Sequence, residues 1–315
     1  MTSSRGVKKL WIGRNMEELV SIVGLTSSGK SGLGIKLAQK FNGEIVSSDS
    51  RQVYKGLDWC SGKVTHDEQM TVRHHLIDVA ELGEQFTLFD FQKMAYDAID
   101  DIISRGKVPF LVGGTGLYSR SVVEGFNLTE DKPNFELRAE LEKLDKIELI
   151  SICKEEQIEL PEEITSRRLI RLIEKKRKPK KENQPRYDVL QIGIFWSKDE
   201  IHARIKERLE YRMPMMIKEI KGLLASGKSK EFLMSLGLEA KFIIRYLDGE
   251  FKSYDEFFEL LFTEERHFAK RQMTWYRKEK NIIWLDGNDN LIEKAEEPVS
   301  NFLKNKKTTL MLTKK

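Results

Sequence analysis

The chain has 315 residues, 40% of them hydrophobic and 33% charged; this is enough apolar content for a substantial core, it excludes a globally disordered polymer, and two units, a core domain and a smaller companion, are expected. No run approaches the roughly 20 apolar residues of a membrane span, and the first residues lack an apolar signal core, so a cytoplasmic protein with no membrane partner is expected. Two cysteines, Cys60 and Cys153, are too few for a disulfide framework or a Cys-rich zinc module, and a net charge of +4 permits an anionic partner without requiring one.

In chain order, "ELVSIVGL" is a short β-branched apolar run ended by Gly24, and "SGLGIKLAQKF" has helical spacing at Leu33, Leu37 and Phe41. "GEIVSSDS" gives a second strand ending in polar residues. "FTLFDFQKMAYDAIDDIISRG" is a helix stopped by Gly106, and "VPFLVGG" is a buried strand punctuated by glycines. The alternation predicts an α/β fold: a P-loop NTPase-like core whose parallel sheet is flanked by helices.

From about Asn127 the texture becomes charged and leucine-periodic. "NFELRAELEKLDKIELISICKEE" and "PEEITSRRLIRLIEKK" read as amphipathic helices, and "YDVLQIGIFW" returns to a buried strand. The expected organisation is therefore a core of residues 1–126 and 187–315 interrupted by an all-helical insertion at 127–186. The helix predicted over 198–227 contains Pro214, which should kink or divide it. "KKRKPKK" (175–181) and the lysine-rich tail from Lys304 concentrate positive charge, as solvated faces ordinarily do.

"GLTSSGKS" (24–31) satisfies G-x-x-x-x-G-K-[ST] through Gly24, Gly29, Lys30 and Ser31. Such a loop turns backbone N–H groups toward phosphate oxygens, with Leu25, Thr26, Ser27 and Ser28 between the glycines. The following helix presents its positive end, Lys30 neutralises charge, and the Ser31 hydroxyl is suited to Mg²⁺. The loop alone does not name a reaction. A strand ending in an acid for the metal of a phosphoryl-transfer enzyme is not obvious, because "VPFLVGG" ends in glycines. Asp49 follows the second strand, where open parallel sheets build their sites; it is suited to metal ligation or general base catalysis, and equally to capping a turn.

Taken in order and spacing, "GLTSSGKS", "GEIVSSDSRQVYKGLD", "HHLIDV", "FTLFDFQKMAYDAI", "VPFLVGGTGLYSRSVVEGF", "SRRLIRLIE" and "RQMTWYRK…WLD" resemble the tRNA dimethylallyltransferases (isopentenyltransferases), from about Val20 to Asp286. The resemblance implies transfer of a dimethylallyl group from dimethylallyl diphosphate to N6 of adenine 37 in tRNAs reading codons that begin with U, by a monomeric enzyme with Mg²⁺. It implies Asp49 as general base, Thr26 as donor to the leaving oxygen, and Lys30 with the loop as diphosphate site. It implies tRNA contacts from Asp49, Ser50, Arg51, Gln52, Thr115 and the "RRLIR" segment, Arg167, Arg168, Leu169, Ile170 and Arg171. Arg204, Arg208, Arg271 and Arg277 are further candidates for the diphosphate, and a packing or hydrogen-bonding role is expected of "HHLID".

The chain departs from the family pattern in places. Leu25 stands where proline is usual and Ser31 where threonine is, "DWCSGKVT" lacks the usual Ala and Pro, "SLGLEAKFI" lacks an aromatic and reverses a charge, and "ITS" precedes the arginines in place of an Asn-Asp pair. The alternatives are an adenylate isopentenyltransferase acting on free AMP, ADP or ATP, a P-loop small-molecule kinase or NTPase, and a non-catalytic RNA-binding protein.

Overall fold

The computed structural model describes residues 16–128, 134–161, 164–174, 182–288 and 290–312; the basic run 175–181 and the start of the chain lie outside these, as do the side chains of the tail beyond Lys304. The chain divides into two compact units, one of residues 1–125 and 185–315 and one of 126–184.

The larger unit begins β1 (Glu17–Gly24), α1 (Lys30–Lys40), β2 (Gly43–Ser47), α2 (His66–Thr71), β3 (His74–His75), α3 (Leu88–Ser104), β4 (Val108–Gly113) and α4 (Gly116–Val123). The smaller unit holds α5 (Phe135–Leu141), α6 (Lys146–Glu155) and α7 (Ser166–Glu174). The chain then completes the larger unit with β5 (Tyr187–Phe195), α8 (Lys198–Ala225), α9 (Lys230–Ser235), α10 (Leu238–Leu247), α11 (Tyr254–Tyr276), β6 (Ile282–Asp286) and α12 (Leu291–Leu312).

The six strands form one parallel sheet in the order β3-β2-β4-β1-β5-β6. Alternation along the strands divides the core between two faces. Val20 and Ile22 of β1 join Leu33 and Leu37 of α1 and Ala295 and Val299 of α12, whereas Leu19 joins Phe91, Ala95, Ile99 and Ile102 of α3. A third cluster lies outside the sheet, where Met213, Met216 and Ile220 of α8, Ile243 of α10 and Phe257 and Leu261 of α11 enclose Val53, Tyr54 and Leu57. That cluster anchors the segment following β2, so loops at the carboxyl ends of β1, β2 and β4 are backed by helices rather than left free.

Two sequence expectations change. The helix read over 134–156 is two helices, because the Asp145 carboxylate accepts the N–H groups of Ile147 (2.7 Å) and Glu148 (2.9 Å) and starts α6 afresh. Pro214 does not divide α8, which runs unbroken for 28 residues. An interior proline costs about 3 kcal/mol, and full burial of the adjacent Met213 and of Met216 supplies packing that outweighs it.

The paired histidines serve the sheet edge. His74 Nδ1–H donates to the Val72 carbonyl (2.7 Å), and His75 Nε2 lies 2.7 Å from the buried Glu44 carboxylate. Arg105 (2.5 and 2.6 Å) and Lys107 (2.7 Å) donate to the same carboxylate, and Arg105 foremost holds it far below the usual carboxylate range. Cys60 and Cys153 are buried free thiols.

Gly113 ends β4 with no room for a side chain: a Cβ there would lie 2.3 Å from the Ser48 carbonyl oxygen, backbone that cannot move aside. Gly222 in α8 has open space around it. Gly113→Ala should therefore lower the unfolding free energy by on the order of 3 kcal/mol through overpacking, and Gly222→Ala should raise it by about 1 kcal/mol through helix propensity. Urea unfolding midpoints of the two variants check both signs.

Candidate active site

Three carbonyls of the phosphate loop are held by side-chain donors. Ser27 at φ 60° and Gly29 at φ 88° turn the backbone in the left-handed sense before α1 begins. Lys30 Nζ donates to the Leu25 carbonyl (3.1 Å), Arg204 Nε to that of Ser27 (2.9 Å) and Trp196 Nε1 to that of Ser28 (2.9 Å). The Arg204 guanidinium lies 4.2 Å from the Trp196 ring centroid, so the two braces also support one another. The Leu25 side chain packs with Ile201, Ile205 and Ala269, which leaves only its backbone to line a phosphate site.

The loop opens on a cleft of about 1170 Å³ whose lining includes Thr26, Lys30, Ser31, Asp49 to Gln52 and Thr115. Within the larger unit, the structure thus gathers the sequence-predicted residues of three separate strand ends. The Asp49 carboxylate accepts the Arg51 N–H through Oδ1 (2.9 Å), so it caps its own turn and borders the cleft at once. Thr115 Oγ1 accepts the Ser50 N–H (3.0 Å) and ties the Asp49 segment to the loop after β4. Gln52 is buried; its Oε1 accepts the Ser47 hydroxyl (3.1 Å) and its Nε2 donates to the Gly62 carbonyl (3.2 Å), which gives its amide a bracing job.

The cations are concentrated at the loop end. Arg208 Nη1 donates to Thr26 Oγ1 (3.0 Å), which leaves the Thr26 hydroxyl proton available to a ligand. Arg204, Arg208 and Arg271 border the cleft, whereas Arg277 ends α11 exposed and is not part of its lining. Burial and the neighbouring Arg208 push the Lys30 ammonium down to about 8, against the opposing pull of Asp49. Burial and Arg212 lower the Arg208 guanidinium to about 10.

Sequence reasoning missed Glu239, Glu265 and Gln272, all of which border the cleft. Burial, followed by the Glu239 charge, raises the Glu265 carboxyl to about 8, with Arg208, Arg212 and Arg271 opposing. Gln272 lies inside the "RQMTWYR" block, yet nothing in a linear sequence tells which side of α11 meets the phosphate loop. The only signal was its place beside the candidate Arg271.

In the smaller unit, Arg167, Arg168 and Arg171 are exposed on α7. Leu169 and Ile170 are buried in that unit's own core with Leu149 and Cys153, which corrects the expectation that their side chains face a partner.

For a divalent metal, no group of three His, Cys, Asp or Glu side chains exists among the described residues. The cleft does carry hard oxygen donors in the Ser31 hydroxyl and Asp49 carboxylate. That set fits Mg²⁺, which keeps several waters and takes its remaining ligands from substrate phosphates.

A glycine loop at the end of β1 in a parallel sheet, with a basic cleft and an interrupting helical unit, defines the phosphate-binding α/β class. The IPP transferase family model matches residues 52–279, and the chain belongs to that family. It is 41% identical to a tRNA dimethylallyltransferase 2 of Citrifermentans bemidjiense, over 89% of this chain and 94% of that one. It is 38% identical to a tRNA dimethylallyltransferase of Streptococcus agalactiae, over 92% of this chain and 99% of the other. Among solved structures, the full-length tRNA isopentenylpyrophosphate transferase of Bacillus halodurans matches with a TM-score of 0.72 at 33% identity, over 94% and 99% of the two chains. A eukaryotic dimethylallyltransferase acting on tRNA matches with a TM-score of 0.75 at 25% identity, over 92% and 80%.

The two groups that titrate near 8 act in the same sense. As pH rises through about 8, Lys30 loses its positive charge and Glu265 gains a negative one. Inorganic diphosphate binding, measured by calorimetry, should therefore weaken across this range and take up protons at its upper end. Lys30→Arg, which stays charged, should reduce that proton uptake below the wild-type value, and adding Glu265→Gln should reduce it further.

Proposed function

We propose that this chain transfers a dimethylallyl group from dimethylallyl diphosphate to N6 of adenine 37 in tRNAs that read codons beginning with U, releasing diphosphate. The observation that carries the reading is the convergence of Lys30, Ser31, Thr26 and Asp49 on one cleft. It joins an anion cradle to a carboxylate in the absence of an acid at the end of β4 that would suit a phosphoryl-transfer enzyme. Membership of the IPP transferase family supports the same reading.

In this reaction the N6 lone pair forms a bond to allylic C1 while the C1–O bond breaks, and its electrons leave with the diphosphate. Backbone N–H groups of the loop, the Lys30 ammonium and Arg208 offset the charge that develops there, and the Thr26 hydroxyl donates to the departing bridge oxygen. Asp49 accepts the N6 proton. Mg²⁺, when bound, supplies further charge to the diphosphate, with Ser31 as its protein ligand. The adenine must leave the anticodon-loop stack to bring N6 into the cleft.

The helical unit is read as a tRNA-binding arm, its exposed Arg167, Arg168 and Arg171 suited to RNA phosphates. A free-nucleotide acceptor would need no such arm, which favours tRNA over AMP. No helix of the described residues is long and apolar enough to cross a membrane; a cytoplasmic monomer completes the proposal.

Incubation with labelled dimethylallyl diphosphate, Mg²⁺ and either bulk tRNA or AMP should label the tRNA; label in AMP alone would select the adenylate reaction. Asp49→Ala should lower the single-turnover rate by roughly 10²- to 10⁴-fold while tRNA binding persists, and an unchanged rate would remove Asp49 from its role. The double variant Arg167→Ala, Arg171→Ala should weaken tRNA binding and reduce the slope of log K against log salt by about one per arginine.

A further inference from the structure

One side chain joins the two halves of this cleft. Gln272, on α11, accepts the Thr26 N–H through Oε1 (2.9 Å) and donates through Nε2 to the Gly114 carbonyl (3.1 Å). An N–H needs an acceptor and a carbonyl needs a donor, so these partners fix the amide orientation. Gly114 is close-fitted to the arrangement: a Cβ there would lie 3.2 Å from Lys30 Cε and 3.3 Å from both Lys30 Nζ and Gln272 Nε2. One helical turn further, the Trp275 ring lies flush on Gly116, where a Cβ would approach it to 2.5 Å. Between those two glycines stands Thr115, whose N–H donates to the Ser48 carbonyl (3.3 Å) and whose Oγ1 accepts the Ser50 N–H (3.0 Å), on either side of Asp49.

We infer that Gln272 is a positioning residue that sets the separation between Thr26 on the leaving-group side and Asp49 on the proton-accepting side. This role rests on the reading given under Proposed function. The connection is continuous: Thr26 is held by Gln272, Gln272 by the Gly114 turn, and that turn by the backbone that flanks Asp49. Both polar atoms of the Gln272 amide are engaged by the protein's own backbone. It removes one degree of freedom between two groups that must act on the same transition state, where a displacement of about 1 Å can cost 10²-fold in rate.

The test compares wild type with Gln272→Glu, which keeps the acceptor and loses the donor to Gly114, and with Gln272→Leu, which loses both. Single-turnover rate constants for dimethylallyl transfer to tRNA, normalised to the fraction of active enzyme, are measured together with KM for tRNA and hydrogen exchange at the Thr26 and Ser50 amides. The expected result is a loss on the order of 10²-fold in the rate constant for both variants, KM for tRNA within about twofold of wild type, and faster exchange at Thr26. Wild-type rate constants in both variants, with an active wild type, would overturn the positioning role alone. A loss accounted for by a reduced active fraction or a raised KM would overturn it too, as a purely structural or binding effect. A wild type that transfers nothing to tRNA would overturn the functional reading, and this role with it.

Discussion

Everything in this molecule follows from the need to keep one short stretch of backbone inside out. A loop that offers its N–H groups to an anion must send its carbonyls the other way, and buried carbonyls need donors. Lys30, Arg204 and Trp196 answer three of them, each from a different element: α1, α8 and the end of β5. The sheet order β4-β1-β5 brings those elements to one corner, because β1 is flanked by β4 on one side and β5 on the other. The long helices α8 and α11 then close the cleft, and the cluster around Met213, Phe257 and Leu261 keeps them together.

The same crowding of cations has an electrostatic consequence. Lys30 and Arg208 are both half-buried beside other positive groups and hold their protons less tightly than usual. A folded protein that gathers such charge without a ligand is poised for an anion, whose arrival restores the proton affinity of Lys30. The sign of the stability linkage agrees. Lys30, lowered to about 8, opposes folding while it is charged, and that penalty is relieved as pH rises from about 8 toward the unfolded-state value. The cleft gives up stability at neutral pH in favour of a site matched to diphosphate.

Much of this was legible in the sequence. The glycines and lysine of residues 24–31 announce a phosphate loop because few other patterns permit that backbone, short apolar runs marked the buried strands β1, β4 and β5, and helical periodicity marked α1 and α3 because each buries one apolar face. The division of 134–156 was hidden because Asp145 reads as one more polar residue of an amphipathic stretch until its carboxylate is seen to cap α6. Leu169 and Ile170 lie in an arginine-rich segment, and only burial separates their packing role from the exposed arginines beside them. Gln272 and Glu265 were out of reach for a different reason: Gln272 bonds backbone far away in the chain, and Glu265 is shifted by burial and by charges on other helices, neither of which leaves a local pattern.

In the proposed reaction the loop grips a group that departs, so that the bond broken is carbon to oxygen and not phosphorus to oxygen. The direct measurement supplies dimethylallyl diphosphate carrying a heavy oxygen isotope at the bridge between C1 and the first phosphorus, together with tRNA, and analyses both products by mass spectrometry. Cleavage at carbon sends all of the heavy oxygen out in diphosphate and leaves the tRNA carrying the five-carbon group without it. Heavy oxygen retained on dimethylallyl alcohol, with unlabelled phosphate products, would contradict it.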